Sequence, residues 1–402
     1  MSALTFRQLL DEATNQLHMA QVPDPRYDAR ALLMSAYHIQ PTQYLLYEND
    51  APEVLIPKVL PDAEALSAAD AAFQAGVLRR QRREPLQQIL GTAGFYGLDF
   101  VVTKDVLCPR ADTETLVDAV LGNLMPEQIR SVHVAEEKIR ADHASQMDMF
   151  DTCSACGQRT EVEMRMEDAV SVDKCPDFLS RVDNKGASLL DVCTGSACIA
   201  IALTKFGAFR DTTAVDISDA ALGIAWQNAV RLLISGADTV AAPPPCAARE
   251  DETVDGQQNL PATDPLACGL HLQNAVVDFT LLRSDMFSAL AERKEADGCM
   301  KKYDVIVSNP PYIPSAVVDE LEPEVRDYEP RIALDGTADG LRFYRILAEE
   351  SVKYLKPGGR IYLEIGYDQG ERVPALLAAA GFQEVTVIRD FGGNDRVVAG
   401  HL

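Results

Sequence analysis

From Ser188 to the C-terminus, short apolar runs alternate with longer amphipathic ones, and that rhythm constrains the fold more than any other feature of the chain. SLLDV predicts a strand, IAIALTKF a helix, TTAVDI a strand and DAALGIAWQNAVRLL a helix. FTLLRSD and YDVIVSN follow as strands. DGLRFYRILAEESVKYL reads as a helix closed by Lys356-Pro357-Gly358-Gly359. RIYLEI then predicts a strand and VPALLAAAGF a helix, and EVTVIRD and RVVAGHL finish as strands. Strands that are apolar throughout belong to a parallel sheet with helices on both faces. The expectation is an α/β fold with a mostly parallel seven-stranded sheet. Its last two strands have no helix between them and should pair antiparallel.

The first part of the chain has a different period. Thr5 and Gln8 stand at capping-box spacing, and Phe6, Leu9, Leu10, Ala13 and Leu17 recur at helical intervals. Asp24-Pro25 supplies a cap and first-turn pair for a second helix. A further helix is expected from about residue 67 to 83, ending in Arg79-Arg80-Gln81-Arg82-Arg83, a run that by itself reads as a solvated helix end. The stretch GTAGFYGLDF has the turn signals of a β-hairpin connector. Residues 1–85 are thus expected to form a small helical domain, and 86–402 a second, larger one. Two polar stretches, about 125–185 and 236–275, interrupt the rhythm and read as surface insertions.

Charge and cysteine usage exclude several classes. The 402 residues carry a net charge of -24, unlike a protein that grips phosphates with a basic surface. No apolar run approaches the ~20 residues of a membrane span, and the N-terminus lacks a signal-peptide core. Nine cysteines, an odd number, fit a reducing compartment, so a cytoplasmic protein is expected. Cys153 and Cys156 form one CxxC, with Cys175, His133 and His143 near it in sequence; without a second close pair no metal site is expected.

Four elements carry chemistry, each at the end of an expected strand. Asp191-Val-Cys193-Thr194-Gly195-Ser196-Ala197 opens a helix and lets a ligand approach the backbone; alone it is also an ordinary βα turn. Asp216 ends the next strand, where an acid accepts hydrogen bonds from ribose hydroxyls or caps the following helix, a role open equally to Ser218 or Asp219. The loop lacks G-x-G-x-x-G spacing, which favours a nucleoside ligand over a dinucleotide. Asp285, after the third strand, is placed to reach an adenine amino group or to serve the structural role that Asp commonly has at strand ends. Most telling is Asn309-Pro310-Pro311-Tyr312. The Asn side chain and the Pro310 carbonyl offer two acceptors to the two donors of a planar NH2 group.

With these residues in view, the chain resembles the HemK/PrmC family of protein-(glutamine-N5) methyltransferases. The resemblance rests on EPLQQILGTAGFYGLDF, VLCPRADTETLV, DVCTGSACIAIAL, SDMFSAL, DVIVSNPPYIP, EPRIALDGTADGLRFYRIL and GGNDRVVAGHL. It implies a class I (Rossmann-like) methyltransferase fold, S-adenosyl-L-methionine as cofactor and the release-factor glutamine as substrate, with the helical domain recognising the release factor. It implies that Cys193 to Ala197 line the methionine and ribose part of the cofactor, that Asp216 holds the ribose and that Asp285 with Met286 borders the adenine. Asn309 to Tyr312 would hold the glutamine, and Asn309, like Asp191, would also belong to the cofactor site. The family usually has glycine at position 197 and often at 193, and a Cβ at Ala197 is expected to crowd the cofactor if that residue needs positive φ. The alternatives are an amino-methyltransferase of nucleic acid, a glutamine methyltransferase of a ribosomal protein, and a non-catalytic cofactor-binding protein.

Overall fold

The computed structural model describes residues 4–122, 128–131, 186–207, 209–234, 270–273, 277–293 and 298–402. The chain begins with helices α1 (Phe6–Met19), α2 (Pro25–Ala36), α3 (Pro41–Tyr47), α4 (Ala63–Gln81) and α5 (Leu86–Leu90). The capping box at α1 forms as read, with Thr5 accepting from the Gln8 N–H and Gln8 reaching back. Pro25 opens α2, but the Asp24 side chain makes no capping bond. Phe6, Leu10, Leu33, Tyr37 and Phe73 are buried together in one apolar cluster. The helical stripe of α1 is therefore satisfied within the helical part of the chain.

The hairpin follows as strands β1 (Thr92–Phe95) and β2 (Leu98–Val101). Tyr96 and Gly97 both take positive φ, the two-residue turn that suits the twist of paired strands. Helix α6 (Glu114–Leu121) and strand β3 (Ile129–Ser131) lead to the sheet. There β4 (Ser188–Val192), α7 (Cys198–Phe206), β5 (Asp211–Asp216) and α8 (Asp219–Leu233) alternate, followed by β6 (Leu270–Gln273), β7 (Asp278–Arg283) and β8 (Tyr303–Ser308). Short helices α9 (Ser315–Val318) and α10 (Pro323–Arg326) precede α11 (Arg342–Tyr354), β9 (Leu355–Glu364), α12 (Arg372–Ala379), β10 (Gln383–Arg389) and β11 (Asp395–His401).

Among the described residues the sheet has nine strands, in the order β3-β10-β11-β9-β8-β4-β5-β7-β6. Its seven central strands are those expected, with β7, β5, β4, β8 and β9 parallel and β10 antiparallel to β11. This is the mostly parallel α/β arrangement expected, with the antiparallel β10–β11 pair at one side. The two further strands correct the expected count of seven. β3 adds antiparallel to β10 and β6 antiparallel to β7. Both come from stretches read as insertions, and each covers an edge that would otherwise expose unpaired backbone groups. Residues 125–127, 132–185, 236–269 and 274–275, including Cys153, Cys156, Cys175, His133 and His143, lie outside the described residues. The Lys356–Gly359 segment also differs from expectation: it lies within β9, where the pairing with β8 shifts register between Tyr303 and Val305.

Two apolar layers cover the sheet. Leu116, Ile199, Leu203, Leu222 and Phe279 belong to one cluster, and Leu190, Phe287, Leu347, Leu363 and Leu377 to the other. The basic run at the end of α4 is not a solvated end. Arg80 is buried and bonds Asp28 at 2.6 Å and Glu324 at 2.9 Å. Arg83 bonds Glu324 and Glu322, while Gln88 donates to the Tyr328 carbonyl and the Tyr328 hydroxyl to that of Arg82. These bonds join the helical part of the chain to the segment that follows Asn309. Among the described residues no helix is long and apolar enough to cross a membrane, and no group of three or more His, Cys, Asp or Glu could hold a metal ion.

Candidate active site

The carboxyl ends of β4, β5, β7 and β8 open on one cavity of about 320 Å³. Cys193, Thr194, Gly195, Ser196, Asp216, Asp285, Met286, Asn309 and Pro311 line it, so residues from all four of the expected elements meet there. Ligands bind open α/β sheets at this edge, where successive strand ends diverge.

The turn after β4 is built to expose backbone. Cys193, Gly195 and Ala197 all have positive φ, at 64°, 55° and 62°. Gly195 has nothing within 4 Å of the position a Cβ would take, so it leaves open space beside the cavity. Its N–H donates to Asp216 Oδ2 at 2.8 Å, and the Ser218 N–H donates to Asp216 Oδ1 at 2.9 Å. A carboxylate has about four lone-pair sites; two are used here and two remain for hydroxyl donors. Burial pushes the Asp216 carboxyl above the ordinary carboxylate range, against the N–H groups that hold it down. Asp216 does not cap α8; Ser218 does, accepting from the Ala221 N–H.

Asp191 lies beneath the turn and outside the cavity wall. It is fully buried, accepts from the Thr194 hydroxyl at 2.6 Å, and leaves Oδ1 without a partner. Burial raises its pKa to about 7. Its geometry makes it a support of the loop rather than a wall of the cavity. Ala197 also departs from expectation. Its backbone is left-handed, as anticipated, but the residue is fully buried within an apolar cluster and does not line the cavity. The methyl group therefore does not crowd the ligand space. Cys193 stays at the wall, with Sγ 3.8 Å from the Met286 sulfur.

At the end of β8, Pro310 is buried and Tyr312 half-buried, and neither lines the cavity, whereas Asn309 and Pro311 do. Asn309 Nδ2 points to Thr113 Oγ1 at 3.4 Å. Among the described residues nothing donates to Asn309 Oδ1 or to the Pro310 carbonyl. The Tyr312 carbonyl accepts from Gln369 Nε2 at 3.1 Å, which anchors the loop to the turn after β9.

Several contributors were missed by the sequence reasoning. Asn228 on α8 is fully buried; it donates to the Ser196 carbonyl, donates to the Val101 carbonyl and accepts from the Val101 N–H. It thereby clips the hairpin to the β4 turn. Residues Asp105 to Arg110 form another wall, held by Arg110 against the buried Glu329 at 2.7 Å. Glu364, at the end of β9, is buried beneath Asn309 and Thr113, and burial pushes its carboxyl up to about 7. The lone acid among the apolar residues that end the strand run RIYLEI is the one signal that could have marked it.

The residues at 8–91 match a family model described as the PrmC N-terminal domain, and 172–251 match one described as ribosomal protein L11 methyltransferase (PrmA). A release factor glutamine methyltransferase of Geobacter sulfurreducens is 32% identical over 399 residues, covering 99% of this chain and 97% of that one. One of Caulobacter vibrioides is 31% identical over 398 residues, covering 99% and 96%. A solved structure of a release-factor-specific protein-(glutamine-N5) methyltransferase from Alicyclobacillus acidocaldarius is 23% identical, covers 75% of this chain and 98% of its own, and has a TM-score of 0.29. With near-complete coverage of both chains at this identity, the chain belongs to the family of release factor glutamine methyltransferases.

Proposed function

We propose that this enzyme transfers a methyl group from S-adenosyl-L-methionine to the side-chain amide nitrogen of the glutamine in the GGQ motif of a peptide chain release factor, in the cytoplasm. The observation that carries this assignment is the free Asn309 Oδ1 on the wall of the cavity that also holds Gly195 and Asp216. The donor set fits the cofactor. Asp216 has lone pairs left for two ribose hydroxyls, exposed Asp285 stands at the edge for an adenine amino group, and the Cys193–Ser196 turn leaves room for the methionine part. Bound there, the cofactor supplies an electrophilic methyl group on a sulfonium.

An amide nitrogen is a poor nucleophile because its lone pair is delocalised into the carbonyl. Asn309 Oδ1 and the Pro310 carbonyl accept the two N–H bonds of the substrate glutamine, aim its nitrogen and favour the positive charge that develops on it. The gain is orientation and preorganised electrostatics. Pro311 and Tyr312 fix the course of the loop, Tyr312 through the bond its carbonyl accepts from Gln369. The proton leaves after transfer to Asn309, Pro310 or water.

Residues 1–85 serve as the recognition domain and 86–402 as the catalytic one. The bonds from Arg80 and Arg83 to Glu324 support that division of labour, because they fix the recognition helices against the loop after Asn309.

The test is incubation with labelled cofactor and purified release factor, with a Gln→Ala variant of its GGQ loop as control, and mass spectrometry to place the methyl group. Asn309→Ala should cut turnover by roughly 100-fold or more with cofactor binding partly retained. Near-normal turnover in that variant refutes the assignment.

A further inference from the structure

We propose that Glu364 is a positioning residue, whose carboxylate holds the Asn309 side-chain amide with Nδ2 inward and Oδ1 turned to the substrate. The proposal rests on the role assigned above to Asn309. β8 and β9 are parallel neighbours with Ser308 opposite Leu363, so Asn309 and Glu364 are the next residues in register at the same end of the sheet. Glu364 is 2% exposed, and its Oε2 has no hydrogen-bond partner among the described residues. A buried carboxylate with an unmade bond is costly unless something repays it.

The amide of an asparagine is nearly symmetric in shape, and its two orientations are chosen by its neighbours. An ionised carboxylate only accepts hydrogen bonds, so it selects the orientation that brings N–H towards it. Asn309 Nδ2 does face inward, 3.4 Å from the Thr113 hydroxyl. Thr113 by itself does not decide the matter, since a hydroxyl donates or accepts with equal ease. The acid beneath it supplies the preference.

Protonation would remove that preference, because a neutral carboxyl can donate to Oδ1 and turn the amide over. The groups around Glu364 set where this happens. Burial raises its pKa to about 7; the Thr113 hydroxyl lowers it, as does Arg396 from β11, while Asp112 from the preceding turn raises it and the Asn309 amide lowers it. The Tyr312 and Tyr344 hydroxyls stand near as well, and Tyr344 donates to the Glu364 backbone carbonyl at 2.7 Å. The ionised form is the productive one, so kcat should fall as pH drops through about 7.

The experiment is a kcat and KM profile from pH 5.5 to 9 for the full-length enzyme with release factor, for wild type, Glu364→Gln, Glu364→Asp and Asn309→Ala. Glu364→Gln should lower kcat by about 100-fold, lose the acid limb, and keep the KM for cofactor and the melting profile. Glu364→Asp, which retains an acceptor-only group, should recover part of the rate and keep a shifted limb. A wild-type kcat with an intact acid limb in Glu364→Gln overturns the proposal. If that variant does not fold, unchanged kcat and limb in Glu364→Asp overturn it instead. Asn309→Ala separates the two levels. If it alone is inactive while both Glu364 variants behave as wild type, only the positioning role falls; if it turns over normally, the assignment of Asn309 falls and this proposal with it.

Discussion

Asp216→Asn tests the cofactor site most directly, because the two forms differ by one atom and the structure states what that atom does. Asp216 accepts from the Gly195 N–H at 2.8 Å through Oδ2 and from the Ser218 N–H at 2.9 Å through Oδ1. The amide of asparagine has one oxygen. Whichever N–H it serves, its NH2 group faces the other, donor against donor. A hydrogen bond to a charged acceptor contributes about 1.5–3 kcal/mol, and one of the two backbone bonds is lost. The loss is partly offset because the neutral amide is easier to bury, and burial already strains the Asp216 carboxylate. Net destabilisation should therefore be about 1 to 2 kcal/mol. The acceptor sites left for ribose hydroxyls fall from about two to one. Losing one charge-assisted bond of about 1.5–3 kcal/mol weakens cofactor binding by roughly 10- to 150-fold. Titration calorimetry with S-adenosylmethionine measures this, with thermal melting to confirm folding. A folded variant whose Kd matches wild type would remove Asp216 from the cofactor site.

Two further outcomes follow from the same loop. Asp191 has a folded pKa of about 7 against an ordinary value of 3.8, so between those values the native state holds more protons than the unfolded chain. Its contribution to stability is present below about pH 4 and is lost as pH rises through about 7. Asp191→Asn should therefore gain stability relative to wild type on going from pH 5 to pH 8, by a few kcal/mol at most; parallel denaturation curves at the two pH values would contradict this. Ala197→Gly should be nearly neutral in chemical denaturation. Relief of a left-handed Ala, about 1 kcal/mol, offsets a lost buried methyl of about 0.8 kcal/mol and part of the added chain entropy. A loss above about 2 kcal/mol would show that the φ of 62° carries no strain, and a much tighter cofactor Kd would show that the methyl does reach the ligand.

Sequence alone determined the alternation of strands and helices from Ser188 onward, the capping box at Thr5, the tight turn after β4 and the placement of Asp216, Asp285 and Asn309 at strand ends. Each is a local property, encoded in periodicity or in residues a few positions apart. Tertiary structure decided the rest, because the partners are remote in the chain. Arg80 looks like part of a solvated run until Glu324, 244 residues away, closes on it. Thr113 meets Asn309 across 196 residues, and Asn228 reaches Val101 across 127. The two edge strands formed because sheet edges carry unpaired backbone groups, which any nearby segment can satisfy whatever its side chains. The Ala197 methyl lies in the core because the apolar cluster that encloses it is assembled from remote stretches of the chain, Phe95 and Leu116 among them, which no local pattern of residue types encodes.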